Sequence, residues 1–198
     1  MRAAAREGTG LSRPQEYEWE RTLIERAKTD PEAFGAIYDE YVDRVYTYIV
    51  RRVGDRSVAE DLTSETFFRA LRSLKTYQHS GQTILAWLYR IAANQVTDHF
   101  RAAKPNLPLE EAWAVPERSE SGPEAKALQA DQQRTILAAV QKLSPDQQDV
   151  ILLRFSGGLR LKEIAETIGK SENAVKQLLF RALGSLKGKL TERGGTHG

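Results

Sequence analysis

Apolar residues recur at three- and four-residue intervals along most of this chain and nowhere alternate with polar ones for the length of a strand, so the pattern predicts an all-α protein. Trp19, Leu23, Ile24 and Ala27 mark the inner face of a short first helix. Asp30-Pro31-Glu32 is a helix start, and the stripe behind it, Phe34, Ile37, Tyr38, Tyr41, Val42, Val45 and Ile49, runs to a stop at Gly54. A third helix spans Ser57 to Leu74 with Val58, Leu62, Phe67, Ala70, Leu71 and Leu74 inward. After the break at Ser80-Gly81, Ile84 to Ala103 forms the last long helix of this half, burying Ile84, Trp87, Leu88, Ile91 and Ala92.

A second helical set follows. Ser144-Pro145-Asp146-Gln147 has the N-cap, first-turn proline and amide of a capping box. Its helix ends near Ser156-Gly157-Gly158; another, Leu161 to Ile168, stops at Gly169, and Ser171 caps a third that reaches about Leu190. Ala165 is small where two helices must cross, Gly169 supplies the turn, and Val175 and Leu178 pack back on Ile164 and Ile168. These features in register predict a helix-turn-helix, with Val175, Leu178, Leu179, Ala182, Leu183 and Leu186 as the buried stripe of its second helix.

Between the two sets the breakers concentrate: Lys104-Pro105-Asn106-Leu107-Pro108, Val115-Pro116 and Ser119-Glu120-Ser121-Gly122-Pro123, with acidic residues at Glu110, Glu111, Glu117, Glu120 and Glu124. The expectation is therefore a first domain over residues 15–103, a flexible acidic linker over 104–123 and a second domain over 124–190, with disordered ends at 1–14 and 191–198. Net charge is only +2, so binding to nucleic acid must come from how charge is distributed, and basic residues outnumber acidic ones from Val150 to Leu190. The chain has no cysteine, which excludes disulfides, thiol catalysis and Cys-ligated zinc. No apolar run nears the roughly 20 residues of a membrane span and no signal-peptide core begins the chain, so the expected location is cytoplasmic, without membrane contact of its own. His79, His99 and His197 are too scattered for a metal site, and no phosphate loop follows a strand; no catalytic residue, metal or cofactor is expected.

Two helix faces carry candidate chemistry. The polar face of the last helix presents Asn173, Lys176, Gln177, Phe180 and Arg181. Any amphipathic helix has a solvated face with Lys, Gln and Arg, but a large aromatic there lacks a structural reason. Lys and Arg reach guanine edges or phosphates, Asn and Gln pair with adenine, and Phe meets a thymine methyl. On the third helix, Asp61, Glu65, Phe68 and Arg72 form an apolar anchor ringed by charge, as a protein-docking helix offers.

Asp61-Leu62-Thr63-Ser64-Glu65-Thr66-Phe67, then Trp87-Leu88-Tyr89-Arg90-Ile91-Ala92-Ala93-Asn94 and Asp98-His99-Phe100-Arg101, resemble the second region of bacterial RNA polymerase sigma factors, and the helix-turn-helix resembles their fourth. Over residues 17 to 190 the chain is thus similar to the small extracytoplasmic-function group of the sigma-70 family. The resemblance implies that Asp61, Glu65, Phe68 and Arg72 dock on the clamp helices of the core RNA polymerase largest subunit. It implies that Tyr77, His79, Gln82, Arg90, Asn94, Gln95 and Arg101 bind the minus-ten element of promoter DNA, and that Asn173, Lys176, Gln177, Phe180 and Arg181 bind the minus-thirty-five element. It further implies an anti-sigma factor as regulator. Ser64 stands where many members have Gln, and Ala93 where many have Arg, which bears on base specificity in the first half. The alternative is a two-domain helix-turn-helix regulator that binds operator DNA without being a polymerase subunit.

Overall fold

Most helices begin where the sequence supplies an acceptor for otherwise unpaired first-turn N–H groups. The computed structural model describes residues 13–78, 82–102 and 133–194. In the first domain α1 covers Arg13–Thr29, α2 Pro31–Val53, α3 Arg56–Ser73 and α4 Ile84–Ala102, with a 3₁₀ turn at Leu74–Thr76. Asp30 accepts from the Glu32 N–H at the start of α2, and Asp55 from the Val58 N–H at the start of α3. Gly54, at φ 77°, separates these two helices in the left-handed conformation glycine tolerates. The second domain holds α5 (133–141), α6 (Pro145–Ile151, continued by a π-turn over Leu152–Ser156), α7 (Leu161–Thr167) and α8 (Glu172–Gly194). No strand occurs among the described residues.

α2 is the spine of the first domain, packed by α1, α3 and α4 over Ile24, Ile37, Val45, Ile49 and Leu88, all at 0% exposure. α8 closes on α6 and α7 through Val175 and Ala182, which meet a core containing Val150, Leu153 and Ile164. The Ser144 N–H donates to Gln147 Oε1 and the Ala174 N–H to Ser171 Oγ, so both expected caps form. Gly169 takes φ 67° in the turn between α7 and α8, as the helix-turn-helix requires.

Four details differ from the sequence expectation. The buried stripe of α3 is Ala59, Thr63, Thr66, Phe67 and Ala70, while Leu71 is 41% exposed: the hydroxyls of Thr63 and Thr66 donate to the carbonyls of Ala59 and Leu62, so threonine can sit inward as a near-apolar residue. Trp19, Tyr38 and Leu183, expected inside, are also substantially exposed, because each lies at the margin of a stripe whose centre the neighbouring helix already covers. α1 starts at Arg13 and α8 runs on to Gly194, past the expected end at Leu190, since nothing in between breaks the helix and propagation adds one hydrogen bond per residue. Finally, the two domains are packed against each other. The linker 104–123 and residues 1–12 and 195–198 lie outside the described residues.

Candidate nucleic-acid interface

α8 is fixed by Val175, Leu178, Leu179 and Ala182 against α6 and α7, which leaves the opposite side of its first three turns in water. That side carries Asn173, Lys176, Gln177, Phe180 and Arg181, all exposed, with the Phe180 ring at 81%. Lys176 pairs with Glu172 at 2.9 Å on the surface, an exposed ion pair that a phosphate would readily replace. The turn before α8 also carries the partly exposed Asp146–Lys170 pair at 3.0 Å, which links it to the first turn of α6.

In the first domain the sequence-expected residues separate into three environments. Arg90, Asn94 and Arg101 project from the exposed side of α4. Tyr77 and Gln82 flank the start of α4 half-buried, and the Tyr77 ring lies 4.4 Å from that of Trp87, tilted by 39°. Gln95 is different: it is buried at 5% exposure on the core side of α4, and its Nε2 has no partner. His79 lies outside the described residues.

The α3 face is built as the spacing suggests. Asp61 and Arg72 are exposed, Glu65 bonds Arg69 at 2.7 Å, and Phe68 stands 54% exposed with the Arg72 guanidinium 5.7 Å from its ring centre. Leu71 joins Phe68 there, so the apolar anchor is larger than the periodicity indicates.

Two polar groups that position these surfaces escape the sequence reading. Glu20, at 1% exposure, accepts from the Tyr41 hydroxyl at 2.8 Å and from the Ile84 N–H at 3.2 Å, pinning the first turn of α4 to α1 and α2. Burial first, and then the charge of Glu20, pushes the Tyr41 hydroxyl far above the usual tyrosine range. The second is Arg52, at 4% exposure, whose guanidinium donates to Asp149 and to Gln148 Oε1 in the other domain. Tyr48 donates to the same Asp149 oxygen at 2.7 Å. Burial, the largest single influence, opposes the Arg52 charge, but Asp149 and Tyr48 together outweigh it and the net shift is upward. Burial and then the Asp149 charge push Tyr48 well above its ordinary value, although Arg52 pulls the other way. The available signal was a cation on an apolar stripe: Arg52 falls three residues after Ile49 and seven after Val45.

Residues 37–105 match the family model described as Sigma-70 region 2, and residues 133–186 that described as Sigma-70, region 4. The chain is 43% identical over 166 residues to the ECF RNA polymerase sigma factor BldN of Streptomyces coelicolor, an alignment covering 83% of this chain and 63% of that protein. It thus spans less than two thirds of that relative. It is 30% identical over 181 residues to the ECF RNA polymerase sigma factor SigD of Mycobacterium tuberculosis strain H37Rv, covering 87% of this chain and 84% of SigD. Among solved structures, CnrH in complex with the cytosolic domain of CnrY has the same fold, with a TM-score of 0.66 at 21% identity over 87% of this chain and 97% of that one.

Proposed function

The chain belongs to the ECF RNA polymerase sigma factors of the sigma-70 family, and we propose that it directs promoter-specific initiation by dividing three contacts between its two domains. In this reading α8 enters the major groove of the minus-thirty-five element, with Asn173, Lys176, Gln177, Phe180 and Arg181 at base edges and phosphates. α4 and the segment before it hold the opened minus-ten strand. A base taken out of the stack costs a few kcal/mol, and aromatic and polar groups must offset that. The exposure of Arg90, Asn94 and Arg101 supports a role at phosphates and base edges, and the tilted Tyr77–Trp87 ring pair would offer an aromatic platform at the start of α4. Gln95 faces the core, so its part is to position α4 rather than to touch DNA. Asp61, Glu65, Phe68 and Arg72, with Leu71, dock on the clamp helices of core polymerase.

The observation that carries this reading is the exposed Phe180 among polar side chains on the second helix of a helix-turn-helix, next to a first domain with a second exposed aromatic, Phe68, on a different helix. One DNA-reading face would serve an operator binder; two distinct faces suit a subunit that bridges promoter and polymerase. The work is binding, and no side chain is assigned a chemical step. No described helix is long and apolar enough to cross a membrane, and we place the protein in the cytoplasm with an anti-sigma factor as its regulator. Run-off transcription with purified core enzyme tests the reading. Transcripts that require the chain are expected, whereas duplex binding without core enzyme and without initiation would return it to an operator-binding regulator.

A further inference from the structure

α3 carries a cation that its docking face does not use. Arg69 follows Phe68 by one position, which turns its side chain about 100° around the helix, away from the stripe of Asp61, Phe68 and Arg72. There it shares the wall of a cleft of about 560 Å³ with Arg90, Asn94 and Arg101 of α4. α3 and α4 pack directly on each other, so this wall belongs wholly to the first domain. Of the residues that line the cleft from that domain, Asp98 is the one acid, and it lies 3.7 Å from Arg101. Without Arg69 the wall would set two cations against one carboxylate; with it there are three.

The Arg69 side chain is 52% exposed, and its Nε donates to Glu65 Oε1 at 2.7 Å. An exposed pair four residues apart on one helix adds little to stability. It does orient the guanidinium: the Glu65 bond goes to Nε, and the two terminal nitrogens form the fork that matches a pair of phosphate oxygens. Glu65 itself stands on the face assigned above to core polymerase. We propose that Arg69 is a further contact to the opened minus-ten strand, gripping a backbone phosphate beside the groups met by Arg90 and Arg101, with Glu65 as its positioning residue. The proposal rests on the reading of α4 given above. One helix then meets both partners, polymerase through Phe68 and promoter through Arg69, and the Glu65–Arg69 pair joins the two faces. A phosphate contact carries no base information, so Arg69 sets affinity and leaves the choice of sequence to others.

Holoenzyme assembled from core enzyme and the full chain tests this, with fluorescent single-stranded DNA of either a minus-ten or a scrambled sequence as the probe. Arg69→Ala should weaken both strands by the same factor, roughly tenfold, as loss of one charge-assisted contact does. The slope of log affinity against log salt should shrink by about 0.7, the value for one phosphate of a single strand. Arg69→Lys keeps the charge and should restore most of the slope, which also controls for folding. Core affinity should stay at the wild-type level in both variants. With core saturating, Glu65→Gln should lower strand affinity about threefold beside Arg69 and not beside Ala at that position, the non-additivity of a residue that acts through another. An unchanged salt slope in Arg69→Ala would overturn the contact, as would a loss confined to the minus-ten sequence. A loss of core affinity matching that of Phe68→Ala would overturn it too, by placing Arg69 on the docking face, and an equal effect of Glu65→Gln in both backgrounds would remove Glu65 from it. Failure of the sigma reading looks different: the wild-type chain itself would then not assemble with core enzyme.

Discussion

Phe180 and Phe68 are the same residue type in nearly the same setting, an exposed ring on the polar side of a helix, yet they should fail in different assays. Phe180→Ala and Arg181→Ala are expected to lower promoter affinity by about 1 to 3 kcal/mol and leave core-polymerase binding intact. Phe68→Ala should weaken core binding and spare the isolated interaction with minus-thirty-five duplex. Fluorescence anisotropy with each partner checks both, and equal loss of core binding in all three variants would refute the division of labour. Glu20 is the residue to test for positioning. Glu20→Ala removes the acceptor of both the Tyr41 hydroxyl and the Ile84 N–H, so stability should fall by about 1–3 kcal/mol in urea unfolding. These residues were legible to different degrees. Phe68 and Phe180 stood out because a ring on a polar face breaks a local rule. Glu20 did not: a glutamate near the start of an amphipathic helix reads as solvated, and only the approach of α2 and α4 from elsewhere in the chain buries it.

At the scale of elements, caps and glycines locate the helices well. Gly169 is held at φ 67° between α7 and α8, where a side chain is strained. Gly169→Ala should therefore destabilise by about 1 kcal/mol. Gly35 sits within α2 with nothing within 4 Å of an added Cβ, and Gly35→Ala should stabilise by about 0.5–1 kcal/mol through the lower entropy of the unfolded chain. Thermal unfolding should move in opposite directions for the two variants; equal shifts would show that the backbone argument misses the dominant effect. Periodicity was less exact about which residues lie innermost. On α3 it offered Leu71 to the core and left Thr63 and Thr66 out, because pattern reading weighs residue type, whereas the direction of the helix axis between α2 and α4 decides which side is covered.

For the molecule as a whole, three buried tyrosines link stability to pH. Burial and the Glu20 charge raise Tyr41, burial and the Asp149 charge raise Tyr48, and burial pushes Tyr89 up to about 12. Below the ordinary tyrosine value of about 10 their contribution is fully present. Above it the unfolded chain gives up protons that the folded chain retains, so stability falls as pH rises toward the raised values. Alkaline titration followed by circular dichroism should show the loss of helix accompanying tyrosinate formation, and tyrosinate appearing at full helicity near pH 10 from all three would contradict it. Tyr48 lies between the domains, so the same titration loosens their contact.

The order of residues along the chain determined the helices, their caps, the helix-turn-helix and the polar faces on which the candidate contacts lie, since each depends on neighbours within a turn or two. Tertiary structure alone decided that Gln95 faces the core while Arg90 and Asn94 face a cleft, that Arg52 is buried, and that Asp149 is its counter-ion. Arg52 and Asp149 are 97 positions apart, and no local periodicity couples residues at that separation. What joins them is the energy of leaving a buried charge alone, and that arises only once both helices are packed.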